Sequence, residues 1–269
     1  MAFTVENLSF AYGAAPVVSG LSFTLEPGLF YGLLGPNGCG KTTLLDLLVR
    51  YRKPAQGQIR LCDKPLERYS NRDQARTVAL VAQNPEIHFP YRVKDLVMMG
   101  RHPYIGRFSS PTVQDLNAVN QAMDLADVTG FAHVPVTELS GGERQRVMFA
   151  RALAQDTPVL LLDEATSNLD IRHSLSLLDS VRAGVAEQGK TVISVFHDIN
   201  LAALFCDRLL LMSRGKLHSQ GTVEDVLNAE TIREVYAVEV LVQDEPFSGS
   251  KQVFYRRDGL DPEKEALRP

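Results

Sequence analysis

The feature that most constrains the fold is the stretch GPNGCGKTT at residues 35–43. It matches G-x-x-x-x-G-K-[ST], the pattern of a phosphate-binding loop. The apolar segment Leu29–Leu34 precedes it, and the leucine-rich segment Thr43–Val49 follows it. A glycine-rich turn between a buried strand and a helix lets backbone N–H groups converge on an anion at the helix N-terminus. We therefore predict a nucleotide-binding α/β core.

Two side chains of this loop have predicted roles of their own. Lys41 is expected to reach the β- and γ-phosphates, and the hydroxyl of Thr42 is expected to hold Mg²⁺. The expected ligands are therefore ATP and Mg²⁺. The other predicted nucleotide-binding residues of the loop are Gly35, Pro36, Asn37, Gly38, Cys39, Gly40 and Thr43.

Cys39 leaves two interpretations open. The positive end of the following helix could lower the pKa of its thiol and make it reactive. Alternatively, cysteine is here a small residue that fits the loop. The three cysteines of the chain form no metal-binding or disulfide pattern, so we expect reduced thiols.

Composition excludes several classes of protein. With 45% hydrophobic and 22% charged residues, the 269-residue chain has the composition of a globular protein. No apolar run approaches the ~18 residues that cross a bilayer, and the N-terminus does not resemble a signal peptide. We therefore expect a cytosolic chain. Its net charge of −4 argues against a nucleic-acid partner.

Hydrophobic periodicity predicts two kinds of sheet. Alternating residues over Phe3–Phe10 and Leu21–Glu26 predict an N-terminal antiparallel β layer. Continuous apolar runs at Thr77–Val81, Pro158–Leu162 and Thr191–Phe196 predict parallel strands that are covered by helices on both faces. The predicted fold class is therefore α/β, with a mostly parallel sheet and flanking helices.

The stretch from about Tyr91 to Val136 differs, because its pattern is mostly helical. One helix is predicted over Val113–Val128, with an apolar face formed by Val113, Leu116, Val119 and Met123. We predict a single ATPase domain over residues 1–242 with a helical insertion at about 88–150. Residues 243–269 are predicted to form a short, weakly patterned tail with a charged end.

Two carboxylates follow the apolar run Leu160–Leu162. The end of a parallel strand is where ligands bind in such sheets, so Asp163 is expected to hold Mg²⁺ through water. Glu164 is the candidate general base for the attacking water.

A second glycine motif, LSGGE, occupies Leu139–Glu143. Ser140 and Glu143 have the spacing of a helix-capping box. Capping does not require two glycines, which destabilise a helix. We therefore predict a second phosphate contact at Ser140, Gly141 and Gly142.

The three motifs, in this order and spacing, resemble those of the ATP-binding subunits of ABC transporters, and the resemblance covers roughly residues 1–240. It implies the P-loop ABC ATPase fold and ATP hydrolysis. Tyr12 resembles the aromatic residue that stacks on adenine. Gln83 resembles the glutamine that touches Mg²⁺ and the attacking water, and His197 resembles the switch histidine at the γ-phosphate. Asp170 resembles the aspartate that communicates across the dimer.

The resemblance also implies partners. Two copies would pair head-to-tail, with each ATP between the P-loop of one chain and Ser140–Gly142 of the other. Integral membrane permease subunits and an external substrate-binding protein would complete the system. The chain would then lie peripherally on the cytoplasmic face of the inner membrane.

A shorter motif concerns the cargo. Val97–Tyr104 contains a G-R-x-P turn that is similar to the ATPases of iron-siderophore, haem and cobalamin importers. We expect Arg101 and Tyr104 to form a coupling surface that faces the permease. The alternative is a turn that merely ends a helix, with Gly100 and Pro103 as breakers.

Three other functions share part of this pattern. The first is a soluble ABC ATPase acting in iron–sulfur cluster assembly, which would have every nucleotide motif but no permease. The second is a ribosome- or nucleic-acid-associated ABC protein, which the single P-loop and the acidic balance argue against. The third is a non-hydrolysing regulatory module, which the full set of candidate catalytic residues opposes. The remaining histidines have no catalytic context; they are His88, His102, His133, His173 and His218.

Overall fold

The computed structural model describes residues 1–83, 87 and 89–256. The strands in these residues are β1 (Phe3–Tyr12), β2 (Ala15–Leu25), β3 (Phe30–Leu34), β4 (Gln56–Leu61), β5 (Lys64–Pro65), β6 (Val78–Val81), β7 (Val159–Asp163), β8 (Thr191–Val195), β9 (Arg208–Ser213), β10 (Lys216–Thr222), β11 (Val240–Glu245) and β12 (Ser250–Tyr255). The α-helices are α1 (Lys41–Leu48), α2 (Asn71–Ala75), α3 (Val93–Met98), α4 (Val113–Leu125), α5 (Gly141–Ala154), α6 (Ile171–Gln188), α7 (Ile199–Phe205), α8 (Val223–Val226) and α9 (Ala229–Tyr236).

Two sheets build the main body of the protein. The larger has six strands in the order β10-β9-β3-β8-β7-β6. Its strands are parallel except for the antiparallel pair of β9 and β10. The smaller is antiparallel and has the order β2-β1-β4-β5. The prediction of a mostly parallel sheet with an N-terminal antiparallel layer is confirmed.

The parallel strands are apolar throughout because both faces of the sheet are covered. In β3, Tyr31 and Leu33 belong to a buried cluster shared with α1 and the antiparallel sheet. Phe30 and Leu34 belong to a second cluster on the opposite face, shared with the helical insertion and α5 to α8. Successive side chains of a strand point to opposite faces, so one continuous apolar run supplies both cores. The P-loop follows β3 directly.

The helix predicted over Val113–Val128 is α4, which ends at Leu125. Two of the four residues predicted for its buried apolar face are exposed instead. Val119 and Met123 are buried, but Val113 and Leu116 are 73% and 39% exposed. Asp115 points inward at the first turn instead, where it completes a capping box with Thr112 and pairs with Arg101. A buried polar contact therefore takes the place expected for apolar side chains.

A β-hairpin near the C-terminus was not expected from the sequence. It consists of β11 and β12, whose side chains are mostly exposed or half-buried. The amide of Asn200 on α7 anchors it by bonding both backbone groups of Val253, at 2.7 and 3.3 Å. The predicted boundary at residue 242 falls within β11. His88, at the start of the predicted insertion, and the charged end at residues 261–269 lie outside the described residues.

None of the helices in the described part of the chain combines the length and the apolar character needed to cross a membrane.

Candidate nucleotide-binding and hydrolysis site

The P-loop is a turn in which the backbone approaches its surroundings closely. Gly35 has φ +147°, and a Cβ there would lie 2.2 Å from the carbonyl oxygen of Met212. Gly40 has φ +106°, and a Cβ there would lie 2.9 Å from the carbonyl oxygen of Val17. The N-cap residue of α1 is Gly40, which has no side chain to bond the first N–H groups of the helix. A helix N-terminus of this kind suits an anion.

Lys41 is folded over this loop. Its side chain is nearly buried, with the residue 6% exposed. The ammonium donates hydrogen bonds to the carbonyl oxygens of Gly35 at 2.7 Å and Pro36 at 3.1 Å. In the described part of the chain, the partners of this ammonium are neutral carbonyl groups. A buried charge that such groups do not neutralise attracts a phosphate strongly. The phosphate-binding role of Lys41 stays a prediction.

The environment of Cys39 distinguishes between a reactive thiol and a small residue that fits the loop. The residue is buried, 4% exposed. Burial raises the pKa of the Cys39 thiol, and this outweighs the opposing effect of Lys41. Of the two interpretations, a pKa lowered by the helix end is therefore not supported. The geometry favours a small side chain that fits the loop.

The two predicted metal-site residues of the P-loop and β7 lie together. The hydroxyl of Thr42 donates to Oδ1 of Asp163 at 3.3 Å. Asp163 is 4% exposed, and burial raises its pKa to about 6. Mg²⁺ is usually bound through one or two carboxylates together with water and substrate phosphates. A hydroxyl and a carboxylate beside an anion-binding loop fit that donor set.

The raised pKa of Asp163 gives a prediction for the nucleotide-free protein. Below about pH 3 the carboxyl group is neutral in both folded and unfolded chains. As the pH rises to about 6, the unfolded chain ionises first, so this group destabilises the fold increasingly. At pH 7.5 the penalty is on the order of 3 kcal/mol. We expect Asp163→Asn to raise the melting temperature at pH 7.5 in EDTA, with little effect near pH 4.

Asp115 is the matched control, because it is equally buried but has the opposite shift. Hydrogen bonds from Thr112, together with Arg101, lower its pKa. Asp115→Asn should therefore destabilise the fold at neutral pH. Calorimetric unfolding of both variants across this pH range measures the two effects. A melting temperature that Asp163→Asn leaves unchanged at pH 7.5 would show that burial of this carboxylate costs no stability.

The three predicted catalytic residues are in contact, because Gln83 and His197 both bind the carboxylate of Glu164. Nε2 of Gln83 donates to Oε2 of Glu164. Nε2 of His197 lies 2.6 Å from Oε1 of the same carboxylate. Glu164 is 8% exposed and has φ +52°, a left-handed conformation that is costly for residues other than glycine. Such strain concentrates at functional sites. The structure thus joins residues that follow β6, β7 and β8.

The LSGGE motif begins α5 as predicted. Ser140 is the N-cap, and both bonds of the capping box with Glu143 are present. The two glycines differ. A Cβ at Gly142 would lie 3.0 Å from the carbonyl oxygen of Asn168, whereas a Cβ at Gly141 would have no atom of the described residues within 4 Å. Packing within the chain therefore explains why residue 142 is glycine. It does not explain Gly141, which faces open space.

Two further predicted residues lie at the margins of the site. Asp170 caps α6, and its carboxylate accepts from the backbone N–H of His173 at 2.9 Å. Tyr12 ends β1 and is 46% exposed, which leaves ring surface accessible. The guanidinium carbon of Arg52 lies 4.6 Å from the centroid of the Tyr12 ring. Sequence reasoning missed Arg52, because no spacing rule relates a strand end to a loop so far along the chain.

Within the G-R-x-P turn, Arg101 is buried, although it was expected to face the permease. Arg101 is 8% exposed and pairs with the buried Asp115 at 2.9 Å, besides donating to the carbonyl oxygen of Ala154. Its guanidinium also lies 4.0 Å from the ring centroid of Tyr104. The hydroxyl of Tyr104 donates to the carbonyl oxygen of Asp156. The expectation that Arg101 faces a partner is wrong, because this arginine holds the insertion together from inside.

Arg101→Ala is expected to destabilise the protein strongly. Removing one member of a buried ion pair leaves the other charge uncompensated, which costs about 3–5 kcal/mol. For a chain of this size the melting temperature should fall by roughly 10 °C. Arg107→Ala is the control, since Arg107 is exposed and its guanidinium lies over the exposed ring of Phe108. Thermal unfolding of both variants tests this; equal melting temperatures would contradict the structural role.

Comparison with known proteins agrees with this geometry. Residues 18–167 match the family described as ABC transporter. The Hemin import ATP-binding protein HmuV of Pseudomonas aeruginosa is 42% identical over 257 residues, covering 94% of this chain and 99% of the relative. The Ferric enterobactin transport ATP-binding protein FepC of Escherichia coli is 36% identical over 248 residues, covering 92% of each chain.

A solved structure extends the likeness to three dimensions. It is described as an inward-facing conformation of a metal-chelate type ABC transporter. Its matching chain is 31% identical, with a TM-score of 0.81 and coverage of 95% of this chain and 97% of that one. The protein therefore belongs to the ABC transporter family. Within that family it is an ATP-binding subunit that hydrolyses ATP.

Proposed function

We propose that this chain powers a membrane permease that imports an iron chelate, haem or cobalamin. The observation that carries the ATPase part is the arrangement around Glu164. A carboxylate held by Gln83 and His197 follows directly on Asp163, which bonds to Thr42 of the P-loop. The candidate general base Glu164 therefore lies next to the candidate metal ligand Asp163, which in turn contacts the P-loop.

In the proposed site, each residue has one task. Lys41 and the N–H groups at the start of α1 bind the phosphates. Glu164 accepts a proton from the attacking water, and Gln83 and His197 orient its carboxylate. Thr42 and Asp163 would hold Mg²⁺, with Gln83 close by, and the ion would supply positive charge against the phosphate oxygens. Tyr12 stacks on adenine.

We propose that the site is completed by a second copy of the chain. Nothing in the described part of the chain requires glycine at position 141, and close approach of a ligand from outside would account for it. A head-to-tail pair would place Ser140–Gly142 of one chain on the ATP bound by the other, and Asp170 would lie near this interface. Closure would exclude water, and hydrolysis would reopen the pair.

The cargo assignment rests on the relatives, whose names describe hemin import and ferric enterobactin transport. The chain would act at the cytoplasmic face of the membrane, bound to permease subunits, with an external binding protein delivering the cargo. A soluble role in iron–sulfur assembly remains the alternative, although no feature of the site favours it.

Reconstitution with the partner permease tests the proposal. The complex in liposomes should take up one member of a panel of ferric siderophore, haem and cobalamin, dependent on ATP. The complex carrying Glu164→Gln is the control and should take up none. Failure of the chain to co-purify with any integral membrane protein, together with full ATPase activity in solution, would support the soluble role instead.

A further inference from the structure

We propose that Arg52 is a positioning residue for the nucleotide base: it holds the ring of Tyr12 and ties that ring to the P-loop helix. The inference rests on the proposed function, because it takes Tyr12 as the residue that stacks on adenine. Beyond the proposed function, it assigns Arg52 an effect on binding of the base, through Tyr12, and none on binding of the phosphates.

Arg52 lies against three aromatic side chains where β1 ends. Its guanidinium carbon is 4.6 Å from the ring centroid of Tyr12, 5.9 Å from that of Phe10 and 5.8 Å from that of Tyr51. A cation within about 6 Å of an aromatic face is attracted by the quadrupole of the ring. Phe10 also meets Tyr12 at right angles, with centroids 5.0 Å apart. The Tyr12 ring is therefore restrained from two directions.

The same arginine is bound to the P-loop helix. Nε of Arg52 donates to Oδ2 of Asp46 at 3.2 Å, and the backbone N–H of Arg52 donates to the carbonyl oxygen of Asp46 at 3.3 Å. Asp46 lies on α1 and its side chain is 19% exposed, so the ion pair is partly shielded from water. Partial shielding makes its geometry better defined than that of a fully exposed pair.

These contacts connect the two halves of the nucleotide site. The ring for the base is at the end of the antiparallel sheet, and the cradle for the phosphates is at the start of α1. Arg52 touches the ring and the helix at once. A ring held in one orientation loses less conformational freedom when a base stacks on it, so binding is stronger. Tyr12 is still 46% exposed, which leaves surface for that stacking.

The test compares two ligands, ATP and inorganic tripolyphosphate, which lacks the base. Both affinities are measured calorimetrically on the full chain carrying Glu164→Gln, so that ATP is not consumed. We expect Arg52→Met to weaken ATP binding about 3- to 10-fold and to leave tripolyphosphate binding unchanged. Arg52→Lys keeps a cation without the planar guanidinium and should recover part of the loss.

Lys53→Met is the matched control. Lys53 is the next residue and is exposed, and in the described part of the chain it is not among the cations over these rings. The substitution removes one positive charge close to the site, and both affinities should stay unchanged. An equal loss of ATP binding in Lys53→Met and Arg52→Met would overturn the inference, because general electrostatics would then explain it.

Tyr12→Leu separates failure of this inference from failure of the proposed function. If Tyr12→Leu weakens ATP binding but Arg52→Met does not, the inference alone is wrong. If Tyr12→Leu leaves ATP binding unchanged, the stacking role is wrong and the inference falls with it. A parallel loss of ATP and tripolyphosphate binding in Arg52→Met also contradicts it. In the Tyr12→Leu background, Arg52→Met should have no further effect on ATP binding.

Discussion

Glu164→Gln is expected to lower the rate of ATP hydrolysis by about 10²- to 10⁴-fold, the usual contribution of a general base. The amide is nearly the same size as the carboxylate, so the packing around this 8% exposed side chain is kept. It cannot accept a proton from water. ATP binding should therefore persist, and the ATP-loaded variant should accumulate as a dimer. Phosphate release and size-exclusion chromatography with ATP measure the two effects.

A second variant tests the role of His197 beside Glu164. His197 lies 2.6 Å from the Glu164 carboxylate. If its task is to orient that carboxylate, His197→Ala should lower the hydrolysis rate less than Glu164→Gln and should not deepen the loss in the double variant. Hydrolysis at the wild-type rate in Glu164→Gln would remove Glu164 from the role of general base.

Lys41→Ala is expected to weaken ATP binding by roughly 10- to 100-fold. A hydrogen bond to a charged group contributes about 1.5–3 kcal/mol, and Lys41 offers several donors from a nearly buried position. Within the described residues, those donors bond the carbonyl oxygens of Gly35 and Pro36. Phosphate oxygens are stronger acceptors, so the favourable difference is lost with the side chain. Calorimetric titration with ATP measures it.

Lys216→Ala is the control for Lys41→Ala, because Lys216 is an exposed lysine on β10. It should bind ATP as the wild type does. Thermal unfolding without nucleotide establishes that Lys41→Ala is folded, since the lost bonds to Gly35 and Pro36 are local. Undiminished ATP binding by a folded Lys41→Ala would contradict the phosphate-cradle assignment.

Residues close together in the chain were predicted best. The P-loop and the capping box at Ser140 depend on contacts across a few residues, so their spacing is visible in the sequence. The same holds for the buried strands, whose apolar runs reflect a sheet covered on both sides. The helix α4 shows where such reasoning fails. Its periodicity could not indicate that Asp115 points inward, because the reason is Arg101 on another element.

The burial of Arg101 could not be predicted from the sequence either. A charged residue in a short turn between helices looks like surface in the sequence, and charged residues are indeed seldom buried unless paired. Its partners, Asp115 and the carbonyl oxygen of Ala154, lie 14 and 53 residues away. Only packing of the insertion on α5 reveals that they meet. The C-terminal hairpin was missed for a related reason, because its half-exposed strands carry a weak alternation.

The P-loop motif, the two kinds of sheet and the family could all be predicted from short stretches of sequence, because each stretch depends on local spacing. The resemblance predicted Gln83, His197 and Glu164 around one γ-phosphate. Their direct contacts, and that of Arg52 with Tyr12, came from the fold alone. Gln83 and Glu164 are 81 positions apart. Their contact depends on which strands are neighbours in the sheet. Strand order is set by the packing of the whole core, and no local pattern encodes it.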